Sequence, residues 1–315
     1  MARYVTRRVL QSIVVIIGVT IATFILIHLL PGGPARGLLG PSASQVQIHA
    51  FIVANGYNRP LYIQYGHYIS DLVHGNLGFS YHYDQSVDSL IAQNLPKSAL
   101  LLGLAYVVAL IVAIPLGIAQ AVRRNGWLDY SVTGTVFVAY SMPTFWLGTM
   151  LILLLSVTLR AFPPEGPQGS SVGAVLADPR ALVLPVMTLA IVNIAQFSRF
   201  MRSSALENLV QDYVRTARSK GASEFVVLRR HVLRNSLIPI ITMVGLSIPV
   251  AVGGALITES VFNYPGMGLL FWNAATTHDY PVLMGFTLVI SVATALGSLA
   301  ADLLYAVADP RVRYQ

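Results

Sequence analysis

The chain has 315 residues, 55% of them hydrophobic and only 10% charged, with a mean hydropathy of +0.66 and a formal net charge of +7. A soluble domain carries about 25% charged residues and a disordered one needs high charge with low hydrophobicity, so both are excluded and an integral membrane protein remains. Absence of cysteine removes disulfides, thiolate metal sites and thiol nucleophiles.

Six runs without charge, or nearly so, follow one another: Val9 to Leu30, Ser98 to Ala121, Tyr130 to Leu159, Ala181 to Ser198, Asn235 to Thr258 and Tyr280 to Ala301. Each is long enough to cross about 30 Å of hydrocarbon as a helix, and none alternates like a barrel strand. The expected fold is all-α, a polytopic bundle of six transmembrane helices. The first run exceeds the apolar core of a signal peptide, so it reads as a retained helix preceded by Arg7 and Arg8.

Three parts are expected: 1–30 as the N-terminal segment and first span, 31–97 as a cap outside the membrane, and 98–315 as the core with a long basic connection at 199–234. Aromatic and apolar residues such as Phe51, Tyr57, Tyr65 and Tyr68 make the cap a folded one with short helices. Ser141-Met142-Pro143 interrupts the third run, and Pro115, Pro185 and Pro249 sit inside others, where a missing N–H favours kinks.

Orientation follows from the basic residues. With the N-terminus cytoplasmic, fifteen of the twenty Lys and Arg residues fall on the inner side, and Arg36, Arg59, Lys97, Arg160 and Arg180 are the five on the outer side. Both termini are then inside. This topology accounts for the positive balance without nucleic acid as a partner; the bilayer is the partner that composition demands.

Chemistry of its own is not apparent. No Gly-Lys pair occurs, so there is no phosphate-binding loop for nucleotide hydrolysis, and neither H-E-x-x-H nor G-x-S-x-G is present. No Asp, Glu, Lys or Arg lies well inside a run, which speaks against coupling through an intramembrane carboxylate; Asp302 falls at the inner interface. Asn193 and Gln196 share a helix face and either line a hydrophilic path or bond neighbouring helices.

The 199–234 connection holds Arg199, Arg202, Arg215, Arg218, Lys220, Arg229, Arg230 and Arg234 against Glu207, Asp212 and Glu224. Its composition predicts two short helices meeting at Gly221, projecting from the bundle to lie on anionic lipid or to dock on a protein.

Asp212-Tyr213-Val214-Arg215-Thr216-Ala217-Arg218-Ser219-Lys220-Gly221, followed by Leu233-Arg234-Asn235-Ser236-Leu237-Ile238-Pro239, resembles the cytoplasmic loop of binding-protein-dependent ABC importer permeases. The likeness is greatest to the B-type permease of the dipeptide/oligopeptide/nickel branch. Leu30-Pro31-Gly32-Gly33-Pro34, Gly75-Asn76-Leu77-Gly78-Phe79-Ser80, Thr258-Glu259-Ser260-Val261-Phe262-Asn263-Tyr264-Pro265-Gly266-Met267-Gly268, Asp279-Tyr280-Pro281 and Asp302-Leu303-Leu304-Tyr305-Ala306-Val307-Ala308-Asp309-Pro310-Arg311 carry it along the chain, although the first two have each lost an acid.

The resemblance implies a permease of the type I importer fold, working with a second homologous permease, two cytoplasmic ATPases that bind the ATP and Mg, and an external solute-binding protein. It implies that Asp212, Tyr213, Arg215, Thr216, Ala217, Arg218, Lys220 and Gly221 form the helix gripped by an ATPase, and that di- or oligopeptides are the cargo. Nickel chelates or another small solute for the same family, and an ion-coupled carrier, a channel or a membrane anchor outside it, are the alternatives.

Overall fold

A computed structural model of the chain describes residues 2–29, 39 and 43–308. The Pro31–Pro34 motif, Arg36, Asp309, Arg311 and Arg313 lie outside the described residues, and the side chains of Arg3 and Asp302 are likewise not described. The fold is helical, as expected, with helices α1 (Ala2–Leu29), α2 (Gln45–Ala54), α3 (Leu61–Val73), α4 (Val87–Val122), α5 (Trp127–Ser141), α6 (Thr144–Leu151), α7 (Val172–Leu176) and α8 (Pro179–Leu209) in the first two thirds. Then come α9 (Asp212–Ser219), α10 (Glu224–Leu246, π-wound over Val227–Val232), α11 (Ile248–Gly253), α12 (Leu256–Val261), α13 (Met267–Thr277) and α14 (Tyr280–Ala308). The one sheet among the described residues is a two-residue antiparallel pairing of β1 (Phe79–Ser80) with β2 (Gln85–Ser86).

Among the described residues, five helices are long and apolar enough to span: Thr6–Leu29, Val87–Val122, Pro179–Leu209, Glu224–Gly253 and Tyr280–Leu299. The third expected span is a broken one. Trp127–Ser141 and Thr144–Thr158 meet at 103°, because Pro143 has no N–H to donate and forces Met142 out of the helical region, to φ −77° and ψ 128°. Pro115 and Pro185, by contrast, are accommodated inside continuous helices.

The core is the pair α4 and α8. Along α4, Ala105, Ala109, Ala113, Gly117 and Ala121 recur every fourth residue and all are buried, a small-residue stripe that lets two backbones approach closely where lipid offers no hydrophobic drive. A Cβ on Gly117 would lie 2.6 Å from the Met201 Cβ and 2.8 Å from the Ser198 carbonyl of α8. Only glycine fits there.

Boundaries differ from the sequence reading; the fifth span, for one, runs Glu224–Gly253 rather than Asn235 to Thr258. The second span begins at Val87 rather than Ser98, since Val87, Leu90 and Ile91 pack on Met267, Val282 and Phe286 and so extend α4 beyond its uncharged run. Helix α8 runs on to Leu209, past Arg199, because Met201 and Ala205 continue its buried face. The basic connection is therefore shorter than 199–234.

The segment before α4 folds as a cap with short helices. Phe24 and Ile27 of α1, Tyr65 and Tyr68 of α3, and Tyr280 and Met284 of α14 form one cluster, with the Phe24 and Tyr65 rings 5.4 Å apart edge to face. Burial and then the neighbouring Tyr65 push the Tyr68 hydroxyl up to about 12.

Candidate functional site

At the opposite end of the bundle from the cap, α8 ends at Leu209 and the chain turns into α9. Val214 and Ala217, three apart on one face of this eight-residue helix, are buried against Ala121 of α4, Ala205 of α8 and Val227 and Val232 of α10. Asp212, Tyr213, Arg215, Thr216, Arg218 and Lys220 are all exposed. A short helix is thus fixed to three long ones by its apolar face and shows its polar face outward.

Its ends are closed by specific bonds. The Gly221 N–H donates to the Arg218 carbonyl at 2.9 Å and the Ala222 N–H to the Ala217 carbonyl at 3.2 Å, which is the Schellman arrangement, with Gly221 in the left-handed region at φ +81°. Arg218 then reaches over the turn: Nε donates to Glu224 Oε1 at 2.8 Å and Nη2 to Oε2 at 3.2 Å. That carboxylate raises the guanidinium pKa further above its ordinary value. At the other end the Tyr213 hydroxyl donates to Asn208 Oδ1 of α8, and the Thr216 hydroxyl donates to the Asp212 carbonyl at 2.9 Å.

The expected pair of short helices is only half present. Asp212–Ser219 is one; beyond Gly221, Glu224 opens a helix that continues as a span to Gly253. Helix α9 is thereby joined through one tight turn to a helix long and apolar enough to span. The joint is short and bonded at both ends.

A contact absent from the sequence reading joins α8 to α5. Arg202 of α8 donates from Nε to Asp129 Oδ1 at 2.7 Å and from Nη2 to Oδ2 at 2.8 Å. Asp129, at the first turn of α5, is 2% exposed and also accepts the Asn125 N–H at 3.0 Å. The nearly uncharged third run starts one residue later, so Asp129 falls just outside it.

Glu259 is the other residue that reading passed over except as part of a motif. Fully buried, it accepts Ser98 Oγ at 2.7 Å and the Ala255 N–H at 3.0 Å on Oε1, and the Gly268 and Leu269 N–H groups at 2.7 and 3.1 Å on Oε2. Ser98 in turn accepts the Met267 N–H at 2.7 Å. Burial pushes the carboxyl up while these four donors pull it back. The cluster binds α4, α12 and the start of α13 at the cap end.

Asn193 and Gln196 are each half-buried on α8, and the Asn193 amide donates to the Leu189 carbonyl of its own helix at 2.8 Å. No cluster of three or more His, Cys, Asp or Glu suited to a metal ion occurs among the described residues.

Residues 113–314 match the family described as binding-protein-dependent transport system inner membrane component, and residues 1–102 match the N-terminal part of such membrane components. The chain is 40% identical over 316 residues to the oligopeptide transport system permease protein AppB of Bacillus subtilis, covering 100% of both. It is 40% identical over 317 residues to a putative peptide permease protein of Brucella suis, covering 99% of both. It is 37% identical over 333 residues to the dipeptide transport system permease protein DppB of Alkalihalophilus pseudofirmus, again covering 100% of both. With helices that span and a family match over most of its length, the chain belongs to the binding-protein-dependent transport system inner membrane components, the multi-pass permeases of ABC importers.

Proposed function

We propose that this permease moves di- or oligopeptides inward, that the α9 end of the bundle is cytoplasmic, and that α9 is the helix through which a partner ATPase drives it. The observation that carries the reading is the construction of α9: one face buried against α4, α8 and α10, the other offering Asp212, Tyr213, Arg215, Thr216 and Lys220, and a bonded Gly221 turn into a span. A helix so held transmits a rigid displacement, which a lipid-resting basic loop has no need to do. Fifteen of twenty basic residues fall on the same side under this orientation. The names of the relatives support peptide as cargo.

In this reading the functional unit holds a second homologous permease, two ATPase subunits or domains that carry ATP and Mg, and an external solute-binding protein. This chain supplies the path and the lever. The test is reconstitution: the chain alone in proteoliposomes should show no ATPase activity and no uptake, whereas the complex co-expressed with its genetic neighbours should hydrolyse ATP faster with binding protein and peptide present. Uptake by the isolated chain under an ion gradient would overturn the proposal.

A further inference from the structure

Arg199 and Arg202 stand one turn apart on α8 and reach to opposite ends of α5. Arg202 pairs with Asp129 in the first turn of α5, while the Arg199 guanidinium lies 5.0 Å over the ring of Tyr140 in its last turn. Eleven residues separate those two partners, about 16 Å along the helix. Arg199 is thus directed to the depth of the break at Ser141–Pro143. It is exposed, and among the described residues no carboxylate pairs with it.

Both features need the same environment. Arg199 stands with the inner-side basic residues on α8 and sends its guanidinium along α5 toward the break; a guanidinium directed that way without a carboxylate faces water or an anion, since lipid penalises the charge. A helix interrupted there leaves backbone groups without intrahelical partners, tolerated only against protein or a water-filled cavity. Gln196 is three residues before Arg199 and Asn193 three before that, which continues one polar strip along α8 toward the cap end. An exposed aromatic ring, Tyr140 at 51%, flanks the strip.

We propose that the Asn193–Gln196–Arg199 strip and the α5–α6 break line one water-filled passage, with Arg199 over Tyr140 as its station for a carboxylate group. This rests on the importer reading and deepens it: the group held would be the terminal carboxylate of a peptide, for which a guanidinium offers two parallel donors. Tyr140 supplies the ring face that keeps Arg199 extended when no anion is bound.

The absence of cysteine from this chain makes the test direct. In the assembled complex, Ser141→Cys and Gln196→Cys are labelled with impermeant thiol reagents, one anionic and one cationic, with and without trapped nucleotide. Both cysteines should react in at least one state, and the anionic reagent should be favoured at Gln196→Cys. Arg199→Gln should lower that preference roughly threefold or more, Arg199→Lys should retain it, and raising the ionic strength should weaken it in the parent. Two inert cysteines in both states, or reaction only with a membrane-soluble reagent, would overturn the passage. A charge preference unmoved by Arg199→Gln and by salt would overturn the station. Trialanine uptake by the parent complex is measured in parallel; labelling as expected without any uptake rejects peptide as the cargo and leaves the passage standing.

Discussion

Arg218 and Glu224 hold each other by two hydrogen bonds, 2.8 and 3.2 Å long, across the turn where Gly221 adopts φ +81°. A Cβ at Gly221 would meet nothing within 4 Å, so a substitution there is strained through the backbone alone. Gly221→Val should cost about 1–2 kcal/mol locally, because the left-handed conformation brings Cβ against the next carbonyl. Asn tolerates that region far better. We expect Gly221→Val to insert and assemble normally yet lose peptide uptake and the stimulation of ATPase by binding protein, with Gly221→Asn retaining most of both. Equal activity of the Val variant would mean the turn has no part in coupling.

The Asp129–Arg202 pair joins α5 to α8. Asp129 is buried, so truncating it leaves the Asn125 N–H without an acceptor and the Arg202 guanidinium, 30% exposed, to be taken up by water; the combined effect is about 1–3 kcal/mol. Arg202→Ala exposes the converse, a buried carboxylate left with the Asn125 N–H and the Gln120 side chain alone. Asp129→Ala should therefore lower the midpoint of thermal unfolding in detergent well below that of Asp212→Ala, whose side chain is 97% exposed. Equal midpoints would show that the pair is solvated in the membrane.

Long apolar runs made the spans legible, and Pro143 and Gly221 made the break and the turn legible, since each has a backbone preference that needs no partner to express itself. What remained hidden depends on partners far away in the chain. Met201 and Ala205 extend α8 because α4 is there to receive them; their neighbours Arg199, Arg202 and Glu207 are charged and suggested that the span had ended and a connection of short helices begun. Glu259 is bonded to Ser98, 161 residues away, and otherwise to backbone N–H groups, which leave no side-chain signature. Of the cap, the aromatic density signalled folding, but not that Phe24 and Met284 would be its floor.

Gly117 offers a test of the α4–α8 contact by compensation. With Met201 Cβ 2.6 Å from where its own Cβ would stand, Gly117→Ala forces the two helices apart and should destabilise by about 1–3 kcal/mol. Met201→Ala removes the γ and outer atoms but keeps Cβ, and the Ser198 carbonyl at 2.8 Å remains. Rescue by Met201→Ala should therefore be partial, and rescue by Met201→Gly fuller. A double-mutant cycle on unfolding in detergent reads the coupling directly; strict additivity would place the helices farther apart than described.

Glu259 is the most demanding residue of the cap end. Its two oxygens accept four donors, three of them backbone N–H groups of Ala255, Gly268 and Leu269 that cannot turn away. In Glu259→Gln one oxygen becomes an NH2 that faces either the Ala255 N–H and Ser98, or the Gly268 and Leu269 N–H groups. Ser98 can rotate its hydroxyl to accept, but then loses nothing else only if it keeps the Met267 N–H as well; the backbone donors have no such freedom. The amide should therefore settle with its nitrogen on the Ser98 side, leaving the Ala255 N–H unsatisfied and the α13 start intact. We expect Glu259→Gln to lose about 1–3 kcal/mol and Glu259→Ala more, because the Ala variant strands all four donors around a void. Adding Ser98→Ala to Glu259→Gln should then cost less than Ser98→Ala does in the parent. A full, undiminished effect of Ser98→Ala in both backgrounds would show that Ser98 and Glu259 do not act on each other.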